Sequence, residues 1–431
     1  MLRVTRRKAL QLSAAAVAGA SLGAVRPARA AGFTPESGAA LRVLRWKRFV
    51  QGDEDQWMAN TEKFTAATGV PVQIDAESWE DVRPKAAVAA NVGSGPDIIL
   101  GWYDDPHQYP DKLLDVSDLA EYLGDKYGGW YEAARAYGTR EGKWIGLPLG
   151  AAGACMVYRQ SAVQAAGFDS FPTDTAGLLK LCQGLQAKGT PAGFALGNAV
   201  GDGNVWCHWL LWSHGGQVVD ENNNVVINSP ETEAALNYAK ELYATFIPGT
   251  TSWLDPNNNK AFLAGEIGLT ANGISVYYAA KKDKPDLVAD IDHANFPIGP
   301  VGVPTELHLF TQAMTMSYTK FPNAAKEYLR FMWEKEQYEP WQQAAIGYIT
   351  QPLRAYESNP VWTVDPKHTP YRDTVARMRT NGFAGKLGYS SAATMADYVV
   401  VNMIAEAASG AKTPKEAMEN AEKRALRYYK V

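Results

Sequence analysis

The residues of this chain best placed to do chemistry are aromatic rings that lie beside carboxylates and amides. Gly101-Trp102-Tyr103-Asp104-Asp105 follows a short apolar run ending at Leu100, Trp46 precedes Asp53, Asn204 stands with Trp206 and His208, and Asp397 adjoins Tyr398. Rings of this kind cover the C–H faces of a hydroxylated ligand while carboxylates and amides pair with its hydroxyls, so the groupings suit a neutral polyhydroxylated molecule. The competing reading is core packing, since tryptophan is highly buried on average. Motifs for covalent catalysis are missing: there is no phosphate-binding glycine loop, Gly-x-Ser-x-Gly elbow, His-Glu-x-x-His or Cys-x-x-Cys. The six histidines are scattered without an i, i+4 pair, so neither a metal nor another cofactor is expected. On an extended strand Asp104 and Asp105 point to opposite faces and do not serve one bond together.

An α/β framework has to position these groups. Residues 41–46 read as a strand, Asp53-Glu54-Asp55 open a helix that runs to Thr68 and stops at Gly69, and 70–75 alternate as a second strand. A helix over 80–91, a Gly93-Ser94-Gly95-Pro96 breaker and a buried strand over 97–100 complete a strand-helix alternation that predicts a parallel sheet with crossovers. Ligands bind at the carboxyl ends of such strands, where Trp102 to Asp104 fall. The middle of the chain predicts strands over 143–147 and 153–158, then helices over 161–166, 173–188 (capped by Thr173), 230–246 and 258–264. The region around Asn204, Trp206 and His208 reads as loop. Beyond it come a strand over 307–318 and helices over 323–333, 371–379, 391–408 and 415–428. At 431 residues two domains are expected, because single cores stop growing at roughly 250 to 300 residues.

Residues 1–30 hold six basic residues and no acidic one, in the order Thr5-Arg6-Arg7-Lys8, an apolar stretch over 12–25, then Ala28-Arg29-Ala30. This pattern reads as an export signal cleaved after Ala30, and Arg6-Arg7 ahead of a weakly apolar core resembles a twin-arginine signal. The apolar stretch is too short to span a bilayer, so the expected location is the periplasm. Without the signal the chain carries 36 basic against 46 acidic residues, a net charge near −10 that disfavours nucleic acid and anionic lipid as partners. Cys155, Cys182 and Cys207 lie in apolar surroundings and read as small buried hydrophobes.

Five segments, in order, resemble the family 1 extracellular solute-binding proteins of ABC importers, the group that includes maltose-binding protein. They are Gly95-Pro96-Asp97-Ile98-Ile99 with Asp104, Gly142 to Pro148 with Val157-Tyr158, Phe262 to Glu266 with Leu269-Thr270-x-Asn272-Gly273, Ala325 to Leu329, and Ala407 to Gly410 with 413–417. The resemblance implies a two-lobed periplasmic-binding fold of type II with a hinge and a helical C-terminal part. Lobe 1 would hold 32–150 plus 306–360, and lobe 2 would hold 151–305 plus 361–431. It makes Asp104 a ligand-contacting carboxylate, puts Asp53 in the first cleft loop and makes Tyr398 an aromatic contact. Ala152, Ser275 and Asp397 replace a glutamate and two aromatics of maltose-binding protein, which argues against maltodextrin. The expected ligand set is Trp46, Asp53, Trp102, Tyr103, Asp104, Asn204, Trp206, Asn272, Ser275, Tyr348, Asp397 and Tyr398. The implied activity is non-enzymatic: a monomer captures a sugar, oligosaccharide or polyol by hinge closure and delivers it to membrane permeases. Two alternatives are a ferric-ion-binding protein using Tyr277-Tyr278 and a secreted glycoside hydrolase.

Overall fold

Leu41, Val43 and Leu44 are buried within a strand exposed only at Arg42, the pattern of a strand enclosed on both faces. The computed structural model describes residues 32–430, so the export signal expected over 1–30 lies outside the described residues. The strands of the two larger sheets are β1 (Leu41–Trp46), β2 (Val72–Glu77), β3 (Ile98–Trp102), β4 (Leu147–Ala152), β5 (Cys155–Arg159), β6 (Leu269–Asn272), β7 (Ile291–Ala294) and β8 (Leu309–Thr315). They form a five-stranded sheet in the order β2-β1-β3-β8-β4 and a three-stranded sheet in the order β6-β5-β7.

The helices that bear on the site are α1 (Gln51–Thr68), α2 (Trp79–Val92), α3 (Asp202–Ser213), α4 (Asp255–Ala264), α5 (Ser275–Asp283), α6 (Lys335–Ala344), α7 (Tyr389–Ala396) and α8 (Val399–Ala408). Among the described residues no helix is long and apolar enough to cross a membrane.

The expected parallel pairing holds for β1 with β2 and β3. It is corrected at β8, which runs antiparallel to both β3 and β4. The chain leaves the sheet at the carboxyl end of β4 and re-enters there through β8, so the returning strand has to run against its neighbours. Only Gly153 and Ala154 separate β4 from β5, so the two sheets are joined by one almost continuous extended run. Gly153 is required there: a Cβ would lie 2.7 Å from Thr374 Oγ1 and 3.2 Å from Thr350 Oγ1.

Three local expectations are also corrected. Asn204, Trp206 and His208 lie on α3 and not in a loop. That helix is buried on every side, so it shows no amphipathic period to betray it. The helix expected over 391–408 breaks at Asp397–Tyr398, where Tyr398 takes a left-handed conformation with φ 51° and Arg424 holds the Asp397 carboxylate at 2.9 Å. The helix expected from Thr173 begins at Thr175, capped by the Asp174 side chain, which accepts from the Gly177 N–H at 2.7 Å. The three cysteines are buried and unpaired.

A buried charge network ties β1, α1 and α6 together. Asp53 accepts from Arg45 Nη2 at 2.6 Å, from Trp46 Nε1 at 3.2 Å and from Trp341 Nε1 at 2.8 Å. The Arg45 guanidinium also lies 4.8 Å from the Trp46 ring and 5.1 Å from the Trp57 ring. Both charged side chains are sealed from solvent, so deleting either leaves an uncompensated buried charge. Asp53→Ala is expected to lower the unfolding free energy by about 3–5 kcal/mol, measured by urea denaturation, whereas a cleft-loop role predicts nearly unchanged stability.

Candidate functional site

Between the two sheets, at the carboxyl ends of β1, β2, β4 and β6, lies a cavity of about 30 Å³. Its walls differ in chemistry. One is aromatic: Phe49 from the β1–α1 turn, Trp79 at the start of α2, and Tyr348 beyond α6. The other is polar: Asp202 at the start of α3, Asp255 at the start of α4, Asn272 at the end of β6, and Ser275 at the start of α5. Ala152 and Ala154 form the floor. Larger grooves of about 560 and 780 Å³ run over the outer surface beside Arg42 and the β2 edge. They are open and shallow, and no comparable set of buried polar groups converges in them.

The aromatic wall is held rigidly from behind. Trp79 packs its face on Trp102 with centroids 4.6 Å apart and meets Phe49 edge-on at 4.8 Å; Trp102 in turn lies 5.3 Å from Trp46. The Trp102 indole N–H donates to the Trp79 carbonyl at 3.3 Å. Trp79 is 6 % exposed and its own indole N–H, buried, has no acceptor.

The polar wall is organised by a helix terminus. Asp255 accepts from the N–H groups of Gly201 (3.1 Å) and Asp202 (2.7 Å), capping α3 from another segment of chain. Asp202 accepts from Asn258 Nδ2 at 2.7 Å. Asn259 Nδ2 donates to Ser275 Oγ at 2.9 Å, and Asn272 donates to Asn259. Burial raises the pKa of both carboxyls. Asp255 is pushed up to about 6 against the pull of its backbone donors, and Asp202 rises well above the carboxylate range with Asp255 beside it.

Of the expected ligand residues, the cavity brings together Asn272, Ser275 and Tyr348. Trp46 and Trp102 stand behind its aromatic wall, and Asp53 belongs to the Arg45 network. Tyr103, strained at φ 44°, donates its hydroxyl to the Val200 carbonyl at 3.2 Å. Asp104 accepts from Asn381 Nδ2 at 2.9 Å and from Ser391, while Asp105 faces the other way to Arg83 at 2.7 Å. Asn204 donates to the Val200 carbonyl at 3.2 Å and leaves its buried Oδ1 without a donor. Trp206 packs on Phe194 and Phe246 in the core behind α3, and Asp397 is paired with Arg424. The Tyr398 phenol lies near Arg83 and Asp255, outside the cavity lining. Tyr277 and Tyr278 diverge: the first donates to Asp365 at 2.8 Å, and the hydroxyl of the second accepts from the Gly52 N–H at 2.9 Å. Among the described residues no group of three His, Cys, Asp or Glu side chains is arranged to hold a metal ion.

Sequence reasoning missed Trp79, Asp202 and Asp255. Asp255-Pro256 was a readable signal, since proline favours the first turn of a helix and places its start at Asp255.

A family model described as "Bacterial extracellular solute-binding protein" matches residues 59–370. The "Putative binding protein" of Brucella abortus is 23% identical over 279 residues, covering 62% of this chain and 66% of that relative. The chain thus spans just under two thirds of that relative's length. The "Probable ABC transporter-binding protein" of Deinococcus radiodurans is 25% identical over 287 residues, covering 64% and 67%. In fold, the chain is similar to maltose-bound T. maritima MalE3, with TM-score 0.79, 17% identity and coverage of 90% of this chain and 99% of the other. It is similar also to a sugar transporter from Arthrobacter chlorophenolicus with bound laminaribiose, with TM-score 0.80, 18% identity and the same coverage. Both are two-lobed sugar-binding structures, and this chain shares that architecture.

Buried carboxyls give the folded chain a definite pH dependence. Asp104 is pushed up to about 7, so between roughly pH 4, where an unfolded aspartate titrates, and pH 7 the folded chain holds a proton that the unfolded chain has lost. Stability from this group is therefore greatest at the acid end, falls as pH rises through that window and is level above it. Asp255 acts with the same sign. Denaturant melts at intervals from pH 4 to 8 are expected to show that decline, and Asp104→Asn is expected to make it shallower.

Proposed function

The chain belongs to the family of bacterial extracellular solute-binding proteins, and from that premise we propose that it captures a carbohydrate or polyol for an ABC importer. The observation that carries this reading is the pairing of walls across the cavity. Phe49, Trp79 and Tyr348 offer ring faces, and Asp202, Asp255, Asn272 and Ser275 offer acceptors and donors. A sugar ring presents C–H groups on its faces and hydroxyls around its rim, which matches that division.

The mechanism is hinge closure. A cavity of about 30 Å³ has room for a water molecule or two but not for a hexose, so the halves have to part to admit a ligand. Polar contacts between the two halves include Gly52 N–H to Tyr278, Lys282 to Gln51, Tyr103 to Val200, Asn381 N–H to Tyr137, and Asn381 and Ser391 to Asp104, and, beside the strand crossing, Thr350 to Tyr371, Gln351 to Arg372 and Arg377 to Glu306. Neutral bonds of this kind contribute about 0.5–1.5 kcal/mol each. Closure from mostly open to mostly closed needs roughly 5.5 kcal/mol of differential binding. We place lobe 1 at 32–150 plus 306–360 and lobe 2 at 151–305 plus 361–431, with the chain crossing between them three times: at the end of β4, before β8 and after residue 360.

The protein acts without bond chemistry. Its partners are the permease subunits of the importer, it works as a monomer, and the signal over 1–30 directs it to the periplasm through a twin-arginine route. The divergent hydroxyls of Tyr277 and Tyr278 argue against iron binding. Asp202 and Asp255 are bound by a helix terminus and an asparagine, which leaves no free pair of carboxylates flanking a scissile bond.

A thermal-shift screen of sugars and polyols tests the reading. A ligand at 100 times its dissociation constant adds about 2.7 kcal/mol to the folded state, and small-angle scattering should show the particle contracting with the same ligand. Asn272→Ala is expected to weaken that ligand about 10- to 100-fold by calorimetry with little change in the unliganded melting temperature. Dimensions that stay constant across every ligand that shifts the melt would refute closure.

A further inference from the structure

Asp202 and Asp255 are the two carboxyls of the cavity, and neither forms an ion pair among the described residues. The nearby guanidinium groups are engaged elsewhere, Arg45 with Asp53 and Arg83 with Asp105. Asp255 is occupied as a helix cap. Asp202 differs: its only hydrogen-bond donor among the described residues is Asn258, to one oxygen, and its side chain reaches the cavity. The titratable groups that face the pair are Glu80, Tyr103, Tyr348, Tyr371 and Tyr398, and none supplies a positive charge. Opposite stand the rings of Phe49, Trp79 and Tyr348, and Trp79 keeps a buried indole N–H without an acceptor. A neutral ligand would offer Asp202 no counter-ion, so its carboxyl would stay protonated. An ammonium group would meet Asp202 as a counter-ion and the rings as cation–π partners, while a hydroxyl of the same ligand accepts from Trp79.

Resting on the carbohydrate reading of this cavity, we propose that its preferred ligand is a hydroxylated ring bearing a protonated amine, an amino sugar or aminocyclitol, with the ammonium at Asp202. The test uses three disaccharides of one geometry: the β-1,4-linked dimer of glucosamine, its N-acetylated form and cellobiose. Glucosamine and glucose serve as the shorter pair. Calorimetry at pH 7 is expected to give the amine at least tenfold tighter binding than its neutral counterparts. Asp202→Asn is expected to remove that preference while retaining the wild-type melting profile.

A second measurement needs no variant. Repeating the titration in buffers of different ionisation enthalpy should show proton release on amine binding, as Asp202 ionises against the ammonium, and none with cellobiose or glucose. Equal or tighter binding of the neutral sugars, a preference that survives in Asp202→Asn, or amine binding without proton release would each overturn the inference. If other neutral sugars shift the melt and the amines do not, this inference alone falls. If no saccharide or amino sugar shifts it, the carbohydrate reading falls as well.

Discussion

Two sheets share one run of extended chain, and the rest of the site follows from that. β4 ends at Ala152 and β5 begins at Cys155, so only two residues separate a strand of the five-stranded sheet from the central strand of the other. Thr350 and Thr374 press on Gly153 from one side, and Ala152 and Ala154 line the cavity. The crossing is thus also the floor of the site, and side chains there have to be small. A glutamate at position 152 would fill much of a cavity this size. The alanine instead leaves the polar work to the opposite wall, which explains why the acceptors come from the starts of α3, α4 and α5 rather than from the crossing strand.

Those helix starts also explain how carboxyls persist in so dry a place. A buried carboxylate with no cation is strongly disfavoured in an apolar interior. Here the first N–H groups of α3 point at Asp255, whose charge is met by the positive end of the helix and by direct hydrogen bonds. Asp202, one residue into the same helix, has only a side-chain amide for company. The two neighbours therefore divide their roles: one holds the helix in place, and the other remains available to whatever enters. Three of the five non-glycine residues with left-handed backbone among the described residues, Tyr103, Ile346 and Tyr398, lie nearby; the other two are Glu141 and Asn223. Each of the three sits at the end of an element that faces the site region, which fits a set of loops held in position by the packing around them.

How much of this was legible in the sequence depended on whether local pattern and tertiary environment agreed. The alternation from β1 to β3 was readable because each helix there has a polar face and a glycine stop, as at Gly69 and Gly93. α3 was not, because burial on every side erased the polar face that marks a helix. The antiparallel return of β8 depends on where the chain re-enters the sheet, which no local pattern encodes. Of the residues that line the cavity, Asn272 lies in a segment that carries the family resemblance and Ser275 just beyond it, whereas the groupings at Trp46 and Trp102 lie one layer behind the cavity wall.

That last displacement has a physical cause. A tryptophan that meets a ligand has to be fixed before the ligand arrives, because ordering a large ring on binding would cost affinity. Trp79 is fixed by stacking on Trp102, which packs on Trp46, whose indole N–H is in turn anchored by Asp53. The aromatic-plus-carboxylate pattern around Trp46, Asp53 and Trp102 thus lies one layer behind the wall of the cavity. From the Arg45–Asp53 pair outward, each layer fixes the next, and only the outermost ring reaches the cavity. In such a stack the residues conspicuous in the sequence are the buried ones, and the ring that faces the cavity is the one whose sequence surroundings are least distinctive.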